Sequence, residues 1–268
     1  MLTILLGILS AGTIYTVLRK VTPEMSLFWV ILLAILGFIV VQIIVSLVLR
    51  SKMNKINMNL QQVMLTTQKN LERKQQMFIR QRNTNQTMMQ MQMEAEQKKG
   101  IEEALLVCEQ FKPMCIWNLM MKKQMTTMKM AFNYQMKNWE EVDKLLPGCT
   151  FLDPQTVSMK LARMYKNKDA NLDKFYKKGT RLLRKESVVL PAATYAWILV
   201  KLDRKEDALK ALNEALKKTD SAVLTQNRDA IVNGKIKQFS NADLAESWYV
   251  LALEEPKMQR VQQKVAYR

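Results

Sequence analysis

The chain has 268 residues and is strongly basic, with 41 Lys and Arg against 24 Asp and Glu and a formal net charge of +17. It contains no His and three Cys, which excludes Ser-His-Asp and Cys-His catalysis and the usual zinc sites. Only 7 Gly and 6 Pro are present, too few for a chain rich in tight turns. The composition therefore predicts an all-α fold.

Two apolar segments near the N-terminus are candidates for membrane spans. Residues 2–18 contain no charge, and residues 27–49 contain Gln42 as their only strongly polar side chain. A helix needs roughly 20 apolar residues to cross a bilayer core of about 30 Å, so the first segment is at the short end. A cleaved signal sequence is its main alternative, but the apolar run starts at residue 2 without a basic region before it. We predict a transmembrane hairpin over residues 1–49, with spans 2–18 and 27–49.

Basic residues flank both ends of this hairpin. Arg19 and Lys20 lie in the loop between the spans, and Arg50, Lys52 and Lys55 follow the second span. We predict that all five lie at the membrane surface and contact anionic lipid headgroups. Residues 50–100 carry ten Lys and Arg against three acids, which favours their retention in the cytoplasm. We therefore predict cytoplasmic termini and, since nothing resembles a targeting peptide, the bacterial inner membrane.

A basic segment rich in Met, Gln and Asn follows, over residues 50–100. No Gly or Pro occurs from residue 38 to residue 99, so one helix could run from the second span through this segment. Fully helical, those residues would reach roughly 90 Å. An apolar stripe begins at Ile56, Leu60 and Val63 but fades after Phe78. We predict a helical stalk, and leave open whether it is a dimeric coiled coil, making the protein a homo-oligomer, or a solvated spacer.

The rest of the chain, residues 101–268, shows a repeated pattern. Four segments each contain an aromatic-rich or Ala-rich helix, a short polar break and an acid-containing helix: 131–147, 161–179, 192–216 and 231–253. The second helices are predicted to start at Trp139, Asp169, Lys205 and Asn241, with spacings of 30, 36 and 36 residues. These hairpins are expected to bury a set of mostly aromatic residues: Tyr134, Trp139, Leu161, Tyr165, Phe175, Tyr195, Trp197, Leu199 and Leu212.

The third segment, YAWILVKLDRKEDALKALNEAL, resembles a tetratricopeptide unit. It has an aromatic first helix, a polar turn, and Ala208 where two helices must approach closely, but Val142 and Leu172 stand at that position in the first two segments. No segment has the full Trp-Leu-Gly-Tyr signature, so generic α-hairpins stay open as an alternative. The resemblance covers about residues 101–255. It implies a stacked superhelix whose concave face binds segments of other proteins.

Positive charge is concentrated in the second of these segments and at the C-terminus. We predict partner binding by five basic residues: Lys174, Lys177, Lys178, Arg181 and Arg184. Anionic lipid, an acidic protein segment and nucleic acid could each use such a surface. No nucleic-acid motif occurs and the predicted spans place the chain at a membrane, so nucleic acid is not an expected partner. A second basic set closes the chain: Lys257, Arg260, Lys264 and Arg268.

Together these patterns predict a non-enzymatic protein without a cofactor. Carboxylate pairs such as Glu140 with Glu141 would be the only support for an enzyme, and they are better explained as surface charges of a second helix. We expect a membrane-anchored scaffold whose cytoplasmic repeat domain recruits or positions partner proteins. The alternative is an oligomeric structural component of a membrane-bound complex, whose basic face binds anionic lipid or nucleic acid.

Overall fold

The computed structural model describes residues 2–80, 86–117 and 119–255. Within these ranges all regular structure is helical and no strand is present, which confirms the all-α prediction. The contacts divide the chain into two compact units, Met1–Cys149 and Thr150–Arg268.

The first unit begins with two antiparallel helices, α1 (Leu2–Val21) and α2 (Leu27–Arg80). Both are long and apolar enough to cross a membrane. They approach closely where Gly7 faces Phe38 and Gln42, since a Cβ on Gly7 would lie only 2.5 Å from the Gln42 Nε2 atom. The absence of a side chain at Gly7 leaves room for the Phe38 ring and the Gln42 amide against α1.

The predicted second span and the start of the stalk form one continuous helix. Beyond residue 49, α2 runs on to Arg80, a further length of about 45 Å. The helix does not continue as one rod to residue 99, because α3 (Gln86–Glu109) packs back against α2 in the antiparallel direction. Glu96 of α3 accepts hydrogen bonds from Asn70 Nδ2 at 3.0 Å and from Lys74 Nζ at 2.6 Å. The weak apolar stripe of the stalk is therefore partly covered by the chain itself.

Gly100 has a packing role inside α3. It is buried, and a Cβ at this position would lie 2.8 Å from the Cβ of Thr67, closer than carbon atoms normally approach. The predicted domain boundary after residue 100 therefore falls within a continuous helix, and residues 101–149 belong to the first unit. Gly at this position serves a close helix–helix contact instead of a turn.

Three further helices complete the first unit: α4 (Lys112–Cys115), α5 (Leu119–Gln135) and α6 (Trp139–Leu145). α5 packs against α3 and α4, and Lys129 forms a salt bridge with Glu109. A core cluster joins α2 to this region through Ile56, Phe111, Met114 and Met121. Methionine suits such a cluster because its flexible thioether side chain fills irregular gaps.

The second unit contains two consecutive helical hairpins and a shorter third part. The helices are α7 (Pro154–Lys166), α8 (Leu172–Gly179), α9 (Val189–Lys201), α10 (Lys205–Leu216), α11 (Ala222–Val232) and α12 (Glu246–Tyr249). α9 packs against both α7 and α10 and is buried at every position from Leu190 to Leu199. α10 begins at Lys205, as predicted, whereas α8 begins three residues after the predicted Asp169.

The prediction of a fourth hairpin over residues 231–253 is wrong. This described segment holds the end of α11, two 3₁₀ turns and the four-residue α12. Asn241, predicted to start a helix, is buried; it donates to the Ala193 carbonyl at 3.2 Å and accepts from Asn227 Nδ2 at 2.7 Å. Side-chain hydrogen bonds, which satisfy buried polar groups, therefore hold this segment in place of a helix pair.

Most of the predicted core residues are buried, and three are partly exposed: Trp139, Tyr165 and Phe175. Trp248, which the predicted core omitted, is fully buried. The indole N–H groups of Trp197 and Trp248 both donate to the Glu254 carboxylate, at 2.8 and 2.9 Å. The end of the described chain is thereby tied to α9.

Candidate functional site

The predicted partner-binding lysines lie on one side of α8. Leu172, Tyr176 and Gly179 are buried on the inner side of this helix. Lys174, Lys177 and Lys178 are exposed, and their spacing of three and four residues makes them neighbours on the outer side. Local amphipathicity thus presents three ammonium groups together to solvent.

Aromatic stacking and a salt bridge fix the inner side of α8. The Tyr176 and Tyr195 rings stack with centroids 3.9 Å apart, and the Tyr195 hydroxyl donates to Asp173 Oδ1 at 2.8 Å. Arg204 donates to both oxygens of Asp173, at 3.2 and 2.9 Å, and this lowers the pKa of the Asp173 carboxyl. Burial raises the pKa of both tyrosine hydroxyls, so they stay protonated. The only acid of α8 is therefore bound by Arg204.

Arg181 and Arg184 follow α8 directly and are also exposed. We call these two residues and the three α8 lysines the α8 basic face. None of the five forms a salt bridge with a carboxylate in residues 2–80, 86–117 and 119–255. Their charged groups therefore stay exposed and without a direct carboxylate contact, although Lys177 interacts electrostatically with Asp173 over a longer distance.

A cavity of 610 Å³ lies beside the turn that precedes α8. Exposed Lys166 and Lys168 line it, together with Asp169 and the Asp173–Arg204 pair. Positive charge thus extends from the α8 basic face onto this turn. The other predicted basic set, Lys257, Arg260, Lys264 and Arg268, lies outside the described residues.

The predicted membrane-surface residues bracket the apolar part of the first unit. Arg19 and Lys20 are exposed in the last turn of α1, whereas Arg50, Lys52 and Lys55 are exposed on α2 beyond residue 49. The 23 uncharged residues from Leu27 to Leu49 extend over about 33 Å of helix, close to a bilayer core of about 30 Å. The two basic groups therefore lie about one bilayer thickness apart.

The α1–α2 hairpin also contains a polar stripe whose importance the sequence analysis missed. Gln42, Ser46 and Arg50 recur every four residues on α2, and all three line two cavities of 700 and 310 Å³. The larger cavity is closed on its other side by Met114, Trp117 and Met121, which lie far along the chain. The four-residue spacing is visible in the sequence, but the opposing wall is not.

In the described part of the chain, no three Cys, Asp or Glu side chains are grouped in a way that could hold a metal ion. No protein-family model, curated protein or solved structure matches the chain.

Proposed function

We propose that the protein is a membrane-anchored scaffold whose C-terminal helical unit recruits or positions partner proteins. The observation that carries this proposal is the α8 basic face, with five exposed cations and no salt bridge to a carboxylate in the described chain. Such a surface is complementary to an acidic segment of another protein. The membrane in question is proposed to be the bacterial inner membrane, with this unit on the cytoplasmic side.

Exposure of the apolar helices supports membrane anchoring. Only 6% of the apolar window of α1 and 11% of that of α2 is buried within the chain, whereas a core helix of a soluble protein is mostly buried. Leu9 is 65% exposed, Phe28 67% and Leu47 60%. A lipid environment would cover these side chains.

The packing of α1 supports a retained span over a cleaved signal sequence. α1 contacts α2 along its length, with Gly7 against Phe38 and Gln42, and with Ile14 against Gly37. Removal of α1 would uncover this surface of α2. A retained hairpin keeps both helices together.

The way in which α1 pairs with α2 supports placing the N-terminus and the stalk on the same side of the membrane. Because Thr3 is hydrogen-bonded to Gln42, the first turn of α1 lies toward the end of the second predicted span that adjoins Arg50. The excess of basic residues between 50 and 100 favours the cytoplasm for that end.

The arrangement of α7 to α10 supports a repeat-like binding unit. Two helical hairpins follow each other, and the first helices of the two, α7 and α9, pack together. This order of contacts is the one that the tetratricopeptide resemblance implies. We propose that the unit binds its partner through the α8 basic face.

One observation favours a second candidate, the oligomeric component whose basic face binds anionic lipid. Leu182 is 72% exposed and lies between Arg181 and Arg184. An exposed apolar side chain among cations is typical of contact with an anionic membrane surface.

Crosslinking in membranes tests the first candidate against the second. A photoreactive residue replaces exposed Lys177 in the full-length chain, and the crosslinked products are identified by mass spectrometry. We expect a protein partner with an acidic segment. We also expect no adduct to form when the membranes are irradiated in about 1 M salt, where the Debye length is about 3 Å and the ionic contact is screened. Adducts with lipid alone would favour the second candidate and contradict the first.

A charge-reversal triplet gives the matched comparison. Lys174→Glu, Lys178→Glu and Arg181→Glu together should abolish the protein adduct. Lys217→Glu with Lys218→Glu, at exposed positions following α10, should leave it intact. Both variants carry the photoreactive residue at position 177. Equal crosslinking in the two, or no protein adduct in the chain that carries the photoreactive residue alone, would contradict recruitment through the α8 basic face.

A further inference from the structure

A groove follows α2 from the middle of the second predicted span to its basic end. The cavity of 310 Å³ begins between apolar side chains and ends at Arg50, and the adjoining cavity of 700 Å³ shares Gln42, Ser46 and Arg50. Its apolar part is formed by side chains of α2 alone, Phe38, Ile39, Ile43 and Leu47, so this part is an open strip of the helix surface. We propose that this groove binds one anionic phospholipid, with an acyl chain along its apolar part and the phosphate at Arg50. The proposal rests on the membrane insertion of the hairpin proposed above.

The length of the groove fits one lipid leaflet. Phe38 and Arg50 are twelve residues apart on one helix, which corresponds to about 18 Å. Half of a bilayer core is about 15 Å thick. An acyl chain lying from Phe38 toward Leu47 would therefore occupy the leaflet on the Arg50 side, with its headgroup level with the guanidinium.

Charge selects the headgroup. Arg50 is the first charged residue after Glu24, is exposed, and forms no salt bridge with a carboxylate in the described ranges. A guanidinium presents paired N–H donors that match the oxygens of a phosphate. The ligand that these features fit is a phosphate diester with a net negative charge.

A polar group just below Arg50 can contact the glycerol and ester region of the lipid. Ser46 lies about 6 Å from Arg50 along α2. It donates its hydroxyl to the main-chain carbonyl oxygen of Gln42 at 2.7 Å and can still accept hydrogen bonds. Gln42 lies about 12 Å from Arg50, among the apolar lining residues, and one of its amide N–H groups is bonded to the Thr3 carbonyl oxygen.

The opposite wall suits the membrane interface. Met53, Met114 and Met121 line the larger cavity with Trp117. Thioether side chains adapt to a flexible acyl chain, and indole rings favour the headgroup level. The Thr3 hydroxyl contacts the Trp117 carbonyl oxygen at 3.5 Å, so this wall adjoins the first turn of α1.

Native mass spectrometry of the full-length chain in detergent tests the proposal. The protein is titrated with dioleoyl phosphatidylglycerol and, separately, with dioleoyl phosphatidylcholine. We expect the first bound phosphatidylglycerol molecule to have an affinity about tenfold higher than that of phosphatidylcholine. The reason is that phosphatidylglycerol carries a net negative charge, whereas the choline group neutralises the phosphate in phosphatidylcholine. Equal affinities would overturn the proposal.

Two matched pairs of variants locate the site. Arg50→Gln should reduce the preference to within about twofold, whereas Lys52→Gln, which removes an equal charge outside both cavities, should keep it. Ile43→Trp should weaken the binding of both lipids, because the larger side chain fills the groove. Ile44→Trp should leave binding unchanged, because Ile44 lines neither cavity. Equal effects of the two variants within either pair would mean that the lipid is bound by non-specific electrostatic or hydrophobic attraction. Either result would overturn the proposed lipid site.

Carbonate extraction of membranes separates this proposal from the proposed function. A chain released by carbonate would contradict membrane anchoring itself. A chain that stays in the membrane but shows no phosphatidylglycerol preference would contradict the lipid groove alone.

Discussion

The side-chain amide of Gln42 donates a hydrogen bond to the main-chain carbonyl oxygen of Thr3, at 2.6 Å. It joins the first turn of α1 to the only strongly polar position in residues 27–49. A polar side chain in lipid is costly without a partner, so this bond favours one register of the hairpin. This register places the first turn of α1 toward the end of the second predicted span that adjoins Arg50.

The close approach of α1 and α2 at Gly7 leads to the first prediction. Gly7→Leu should destabilise the hairpin by about 1–3 kcal/mol, because its Cβ would lie 2.5 Å from both Gln42 Nε2 and Phe38 Cε2. Gly12→Leu is the matched control, since a Cβ there meets no atom of the described chain within 4 Å. Unfolding by sodium dodecyl sulfate, followed by circular dichroism, measures the difference. Equal midpoints for the two variants would show that α1 does not pack as described.

The α2–α3 hairpin depends on Gly100. Gly100→Val should lower the free energy of unfolding by about 2 kcal/mol or more, because the Thr67 Cβ that it meets belongs to the helix and cannot move away. Ala95→Val, at an exposed position of the same helix, should cost only the helix-propensity difference of about 0.5 kcal/mol. Thermal unfolding followed by circular dichroism compares them. If Gly100→Val melts no earlier than Ala95→Val, α3 does not return along α2.

The Asp173–Arg204 pair predicts a pH dependence of stability. Hydrogen bonds from Arg204 and Tyr195 lower the pKa of Asp173 in the folded chain, relative to about 3.9 when unfolded. Its contribution is therefore present above that unfolded value and is lost as the pH falls through the folded pKa. Because both side chains are more than a third exposed, we expect about 1 kcal/mol or less at neutral pH.

Asp173→Asn tests this dependence by urea unfolding over a series of pH values. The difference from the unaltered chain should be largest at neutral pH and should shrink on acidification. Asp220→Asn, at an exposed position, serves as the control. A difference that stays constant down to acid pH would exclude a role for the ionised carboxylate.

The three cysteines should differ in reactivity. Burial raises the pKa of the Cys108 thiol to about 11, whereas Cys115 and Cys149 are only partly buried. At about pH 8, iodoacetamide should modify Cys115 and Cys149 and leave Cys108 intact until the chain is denatured, because the thiolate is the reactive form. Peptide mapping by mass spectrometry measures the three sites. Modification of native Cys108 as fast as Cys115 would contradict the packing of α3 against α5.

Local patterns made parts of the fold predictable. The long apolar runs indicated two membrane-length helices, and the polar breaks placed the starts of α6 at Trp139 and α10 at Lys205. The return of α3 was not predictable, because its contacts, such as Thr67 with Gly100, join distant residues in a stretch with little apolar periodicity. Likewise, no local pattern marks Asn241 as a buried hydrogen-bonding residue.

The candidate sites were predictable to different degrees. The lysines of the α8 basic face follow from their spacing on an amphipathic helix. For the groove, the sequence supplied Arg50 and singled out Gln42 as polar. Its opposite wall requires α3 to bring Met114 and Trp117 back beside α2, and only the tertiary structure shows this.

The central claim is that α1 and α2 cross the membrane as a hairpin with the stalk in the cytoplasm. Labelling with a membrane-impermeant maleimide in intact cells tests it most directly. Single cysteines are placed at the exposed positions Ser26, between the helices, and Asn59, on the stalk, after the native cysteines have been replaced by Ala. We predict that Ser26→Cys is labelled in intact cells and that Asn59→Cys is labelled only after permeabilisation. Equal labelling of the two sites in intact cells, or labelling of Asn59→Cys alone, would contradict the account.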